Sequence, residues 1–308
     1  MKSGSETVSS TIVVRTMMGI RNVDLALQCL GSMKALVRHP LEFAIHDDGT
    51  LHAEARARLR ENLGPCTFVD RVQAGEEIAG RLKAHPRCAT FRNEHLFGLK
   101  LFDVPLLSAR RAVYCDTDIL FTRPIECPAY FLGEGHPFTA MQDLKESYSV
   151  RLAQWPILRR RGIRLASRVC AGMISLDPGT LDLDFIEWLL GVDAEIGLFS
   201  GFPFWAEQTI YAALAARTGC VWIQPEECLV AHRSSFARTQ GAAIIHFAGF
   251  SRPLLAGVYA RLQLAEDDRP ALRLGTVPTP ECGMWRRLQS GVRTRFFLRE
   301  EPPHLRTK

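Results

Sequence analysis

Short apolar runs alternate with longer segments of helical period along most of this 308-residue chain. That alternation restricts the fold more than any other feature. "TIVVRTM" at 11–17 reads as a buried strand, and 20–37 then carries Val23, Leu27, Leu30 and Val37 at helical spacing. Phe43 to Ile45 is a second strand that ends in "HDDG". Residues 54–63 form a helix, "CTFVDR" a third strand, and 91–107 one helix with an apolar face. "RAVYCD", "HPFTAMQD", "VCAGMISLD" and "AAIIHFAG" supply further strands, and "DFIEWLLG" and "WAEQTIYAALAAR" two more helices. Strands that alternate with helices predict an α/β fold with a mixed, mostly parallel central sheet flanked by helices. Ligands of such sheets bind at the carboxyl ends of the strands. "HDDG", "CDTD" and "HF" all fall at such ends.

The stretch "RAVYCDTDILF" at 111–121 sets two aspartates between strongly apolar runs. Asp is a poor strand residue, and unpaired buried charge is costly. Asp116 and Asp118 are therefore expected at a strand end, facing a cation. A hard divalent ion, Mn²⁺ or Mg²⁺, prefers oxygen ligands and keeps positions open for substrate phosphates. The competing reading is a turn, with Asp116 capping backbone N–H groups and Asp118 exposed.

The net charge of +5 favours anionic partners such as nucleotide diphosphates, phosphorylated glycans or a lipid surface. It is too mild for a dedicated nucleic-acid binder. The nine cysteines are odd in number, widely spaced and free of any C-x-x-C pair, which predicts reduced thiols in a cytoplasmic protein. "MKSGSETVSS" lacks the pattern of a signal peptide, and residues 1–10 are expected to be disordered. No apolar run approaches the roughly 20 residues of a membrane span.

Four blocks together resemble the nucleotide-sugar glycosyltransferases of the GT-A fold, in particular glycosyltransferase family 8 and its bacterial relatives. They are "KLFDVPLLSARRAVYCDTDILFTRPI", "CAGMISLD", "EQTIYAAL" and "IIHFAGFSRP", in that order, and the resemblance spans residues 11–255. It implies a metal-dependent transferase that takes a sugar from a UDP-linked donor to a hydroxyl acceptor and retains the anomeric configuration. It also implies that Asp116, Asp118 and His246 hold the metal; for His246 the alternative is a satisfied core histidine. Thr117 would lie with the donor, and Gly249 and Arg252 on its diphosphate. Arg252 stands where the family usually has Lys, and either cation can stabilise a leaving group. Lys100 falls near the donor in that scheme, or else on a solvated helix face. Thr16 and Met17 fall where the family grips the nucleoside. Asp47 or Asp48 either bonds the ribose or base, or forms an Asp-Gly turn. Glu207 and Gln208 fall beside the sugar, and Glu207 is otherwise a carboxylate at a helix start. Asp143 is a sugar contact by place. Cys170 departs from the family's Asn.

Two basic regions remain. "ILRRRGIRLASR" lies where acceptor-facing loops occur in the resembled fold, and is otherwise a solvated helix. Residues 256–308 read as a basic C-terminal extension with little core. Within it, 284–298 carries Trp285, Leu288, Val292 and Phe296 at helical spacing among arginines. Such a helix either lies peripherally on an anionic membrane or packs on the domain. The acceptor is then a glycan, a lipid-linked species or a protein hydroxyl. Two other functions compete. One is a GT-A-like nucleotide-binding module without catalysis. The other is a haloacid-dehalogenase-like phosphatase, which places its D-x-D near the N-terminus and follows it with different residues.

Overall fold

The computed structural model describes residues 11–232, 236, 237, 239, 241–262 and 269–289. The expected disordered segment 1–10 and residues 290–298 of the basic tail lie outside them. In chain order the strands and helices are β1 (Ile12–Met18), α1 (Val23–Leu36), β2 (Leu41–Asp47), α2 (Ala53–Leu63), β3 (Cys66–Val69), α3 (Arg71–Arg81), α4 (Pro86–Glu94) and α5 (Gly98–Leu106). Next come β4 (Ala112–Cys115), β5 (Ile119–Phe121), β6 (Ile125–Glu126), α6 (Pro128–Phe131), β7 (Phe138–Gln142), α7 (Trp155–Arg160) and β8 (Val169–Leu176). The chain continues through α8 (Leu183–Ile196), α9 (Ala206–Thr218), β9 (Val221–Ile223), β10 (Cys228–Val230), β11 (Ile244–His246), α10 (Arg252–Tyr259), β12 (Leu272–Arg273) and β13 (Thr276–Pro278).

Eight strands form the main sheet in the order β13-β9-β7-β8-β4-β1-β2-β3. The pairs β1–β2, β1–β4, β2–β3 and β7–β9 are parallel, while β4–β8, β7–β8 and β9–β13 are antiparallel. Mixed, mostly parallel pairing is what the sequence pattern implied. Both faces of the sheet are covered, as near-continuous apolar strands require. Successive residues of β4 show this directly. Ala112 and Tyr114 pack into a core shared with α5, α8 and α9, while Val113 and Cys115 pack into a second core with α1 and α2. The alternation is the two-residue period of a strand.

Several expectations are corrected. The helix read over 91–107 is two helices, because α4 ends at Glu94 and α5 begins at Gly98. A Cβ at Gly98 would lie 2.5 Å from the Phe91 carbonyl oxygen, so the chain turns sharply where only glycine fits. The apolar run after the D-x-D does not extend the main sheet. It forms β5, which pairs antiparallel with β11 in a separate three-stranded sheet, β10-β11-β5. The strand ending in His246 thus lies outside the main sheet. Helix α3 and strand β9 carried no strong pattern and were not expected. The stretch after Leu255, read as having little core, adds β13 to the sheet edge and buries Leu274 and Cys282.

Candidate active site

The main sheet and the small sheet meet at the D-x-D. Backbone bonds fix it from two sides: Asp116 N donates to Gly172 O at 2.7 Å, and Phe247 N donates to Asp118 O at 2.8 Å. The first bond ties the motif to β8, and the second to the residue just after β11. Strand β8 is bulged at this point, since Ala140 faces Ile174 while Met141 faces Cys170. Bulges often sit beside active sites, where they re-aim the backbone. One ligand atom each from Asp116, Asp118 and His246 can be chosen so that all lie within 4.8 Å of one another. Carboxylates and a histidine nitrogen suit Mn²⁺ or Mg²⁺.

The two carboxylates differ in surroundings. Asp116 is partly exposed and accepts bonds from Tyr114 Oη at 2.5 Å and from Lys100 Nζ at 3.2 Å. The Asp118 side chain is only 2 % exposed. Its Oδ2 accepts a bond from Arg252 Nε at 2.7 Å. Its Oδ1 is buried and takes no hydrogen bond from the described residues, although His246 Nε2 stands 3.1 Å away at ion-pair distance. Burial raises the Asp118 pKa, but the His246 and Arg252 charges outweigh it and hold the group at about 2. A buried, ionised oxygen that accepts no hydrogen bond, set beside a histidine nitrogen and a second carboxylate, is suited to ligate a divalent cation.

His246 is 6 % exposed. Burial disfavours its charged form, yet Cys170 and Asp118 outweigh that and raise its pKa well above the ordinary value. Its Nδ1 lies 3.3 Å from Cys170 Sγ. A Cβ at Gly172 would lie 2.9 Å from His246 Nδ1 and closer still to Cε1, so the ring sits tight against the β8 backbone where only glycine leaves room.

Lys100 is 4 % exposed and not on a solvated helix face. Its ammonium also lies 3.5 Å from Glu207 Oε1 and 4.7 Å from the Tyr114 ring centroid. Burial lowers the Lys100 pKa, and the charges of Asp116 and Glu207 more than reverse this. Glu207, in the first turn of α9, is 3 % exposed. Burial drives its pKa up to about 7, with Lys100 opposing and Asp116 adding. Gln208 Nε2 donates to Asp143 Oδ2 at 2.9 Å and to Ser147 O at 3.0 Å, and its Oε1 accepts from Ala171 N.

These residues line one cleft of about 2130 Å³. Met17, Asp48, Lys100, Asp116, Thr117, Asp118, Asp143, Glu207, Gln208, His246, Gly249 and Arg252 all reach it. Two expected residues do not. Thr16 alternates to the buried side of β1, fully covered. Asp47 is used by its own turn: Oδ1 accepts from Gly49 N, Thr50 N and Leu51 N, and Oδ2 from Arg56 Nη2. Sequence reading also missed residues of the cleft. Tyr114 was taken only as strand. The loop "GFPFW" places Phe202, Phe204 and Trp205 on the cleft wall, with Phe204 edge-on to Phe97 at 5.1 Å. Phe97 in turn lies 5.7 Å from Lys100 Nζ, so an aromatic strip runs outward from the D-x-D. Four apolar side chains in five residues of a loop was the available signal. Lys145 Nζ lies 5.1 Å from the Trp205 ring centroid, and Arg168, at φ 43°, holds a left-handed backbone that non-glycine residues rarely adopt. The basic segment lies largely in solvent: Arg159, Arg160, Arg161 and Arg164 are exposed, and Arg161 pairs with Glu195.

No protein-family model and no curated protein matches the chain. Solved structures do. The apo form of mouse xyloside xylosyltransferase 1 superposes with a TM-score of 0.50 at 12% identity, covering 77% of this chain and 97% of that one. The chain has the GT-A glycosyltransferase fold. Core-mannan synthase A of Aspergillus fumigatus, in a Mn/GDP form, gives 0.43 at 11% identity over 72% of this chain and 74% of that one. The galactosyltransferase LgtC, in complex with donor and acceptor sugar analogues, gives 0.40 at 13% over 83% and 98%. In this GT-A chain the D-x-D, the histidine of the last block and the start of α9 converge on one cleft. No helix among the described residues is long and apolar enough to cross a membrane.

Proposed function

We propose that the chain is a metal-dependent glycosyltransferase. It moves a sugar from a UDP-linked donor to a hydroxyl acceptor and retains the anomeric configuration. One observation carries the reading. Asp116, Asp118 and His246 converge within 4.8 Å on the cleft, and Asp118 keeps one buried oxygen without a hydrogen bond. A divalent cation, Mn²⁺ or Mg²⁺, supplies there the charge that neutralises a departing diphosphate.

The protein's own groups do the rest. Arg252, half exposed in its side chain, reaches from Asp118 into the cleft and holds the diphosphate. Gly249, at φ 55°, lets the backbone approach there without a Cβ in the way. Met17 and Asp48, at the ends of β1 and β2, grip the nucleoside; Thr117 lies between the metal carboxylates. Lys100 orients Asp116 through its ammonium. Asp143 and Gln208 brace one another and fix the sugar, and Glu207 lies beside it. The strip Phe97, Phe204 and Trp205 faces the incoming acceptor, which is a glycan, a lipid-linked species or a protein hydroxyl. A cytoplasmic site is consistent with nine free cysteines. Peripheral membrane contact through 284–298 is supported by Met284 and Trp285, whose side chains are exposed.

The test is a thermal-shift series with UDP and UDP-sugars, with Mn²⁺ or with chelator. A ligand that binds only the native state stabilises it by about 2.7 kcal/mol at a hundredfold excess over Kd. A rise in Tm with a UDP-sugar that needs Mn²⁺ supports the function, and the best sugar names the donor. No shift with any nucleotide overturns it.

A further inference from the structure

Cys170 stands in the cleft where the family this chain resembles has Asn. It is 3 % exposed, and its sulfur touches the far nitrogen of His246. The two ring nitrogens have opposite surroundings. Nε2 looks toward Asp118 Oδ1 at 3.1 Å, and Nδ1 toward Cys170 Sγ at 3.3 Å. Gly172, two residues along the same strand, lies close against the Cε1 side of the ring. The ring is thus bounded by the glycine backbone at Cε1 and by sulfur at Nδ1.

A histidine that ligates a metal through Nε2 must leave that nitrogen unprotonated. Its remaining proton then sits on Nδ1 and needs an acceptor. Sulfur is the only such group that the structure places against Nδ1 among the described residues. We infer that Cys170 is a positioning residue: Sγ accepts the Nδ1–H of His246 and thereby turns Nε2 toward Asp116 and Asp118. The inference rests on the proposed metal site. No bond to the cation is asked of the thiol. It acts through the histidine, and a thiol is a weaker acceptor than a carbonyl or carboxylate.

The experiment is a Mn²⁺ titration of the full chain, read from the electron paramagnetic resonance signal of free Mn²⁺. It compares native protein with Cys170→Ala and Cys170→Ser. Loss of an outer-shell partner typically costs ten- to a hundredfold in metal affinity. Cys170→Ala is expected to weaken Mn²⁺ by about tenfold. Cys170→Ser, whose hydroxyl can accept the same proton, recovers most of that loss. Tm in chelator reports folding separately and stays close to native in both variants. Nitrogen-15 spectra of His246 with Mg²⁺ bound give a second readout, with the proton on Nδ1 expected. Native Mn²⁺ affinity in Cys170→Ala, or a proton on Nε2 in the Mg²⁺ form, overturns this inference alone. A native chain that binds no Mn²⁺ even with UDP overturns the metal site and this inference together.

Discussion

Asp47 and Asp118 both follow apolar strand runs in the same fold, and both are nearly inaccessible. Their oxygens meet opposite fates. Asp47 accepts three backbone N–H bonds and one from Arg56, so its charge is satisfied within a few residues of chain. Asp118 has Arg252 on one oxygen and nothing hydrogen-bonded on the other. Local chain closes on the first, whereas distant chain, Arg252 and His246, closes on the second. A buried aspartate at a strand end is therefore structural when its own turn saturates it and a candidate ligand when it does not. The cations differ in the same way: the Arg56 side chain is 27% exposed, and that of Arg252, which reaches into the cleft, is 49% exposed.

Substitutions can break this comparison. The largest effect is expected from Asp118→Ala, which removes the Mn²⁺-dependent Tm shift with UDP-sugar and lowers transfer by about a hundredfold or more. Retained Mn²⁺-dependent binding would place the cation elsewhere. Glu207 extends the comparison to a buried carboxyl beside Lys100 and near the charge of Asp116. Its folded pKa of about 7 lies above the ordinary 4.5, so the native state binds the extra proton. Stability then falls as pH rises from about 4.5 to about 7 and levels off beyond. The contribution is on the order of 3 kcal/mol, and Glu207→Gln removes it. Urea midpoints at pH 5 and pH 8, taken in chelator, measure the difference between native and variant.

Asp47→Ala is expected to cost about 2 kcal/mol of stability, because one residue caps three N–H groups and pairs an arginine. UDP and Mn²⁺ binding should persist. If they vanish while the fold holds, Asp47 is a donor residue after all and the contrast with Asp118 fails. The smallest effect is that of Gly172→Ala. The added methyl overlaps the His246 ring, at a cost of about 1 kcal/mol. A drop in Mn²⁺ affinity beyond the change in urea midpoint would show that ring placement, rather than global stability, is what glycine protects.

Much of the frame was legible from the residues. The strand into Asp116 is apolar on both faces because helices cover both sides, and that reads as a continuous run. The alternation of strand and helix likewise gave the α/β class. The partition between the two sheets was not legible. "ILF" has the composition of any buried strand, and only its antiparallel pairing with Ile244–His246 removes it from the main sheet. At "HDDG", sequence alone left Asp47 and Asp48 equivalent. Thr50 N bonds both, but the bonds from Gly49 N, Leu51 N and Arg56 go to Asp47 and separate them, and these depend on backbone geometry that residue types do not encode singly. Lys100 had two open readings, a place near the donor implied by the resemblance and a solvated helix face. It is buried on α5, which begins at Gly98 where the sequence pattern carried one helix through. Cys170 was visible as a departure but not as a partner, because its neighbour in space is 76 residues away.

The pairing of β5 with β11 has a consequence for how the molecule is made. Arg252 and Asp118, 134 residues apart, are joined only when the last part of the chain docks against a strand laid down long before. Contacts of that separation are slow to form, because a long loop must close before they stabilise anything. During synthesis the amino-terminal half emerges first, with the D-x-D carboxylates still waiting for their histidine and arginine. The proposed cation site is thus assembled late, only once β11 and the start of α10 have docked against β5.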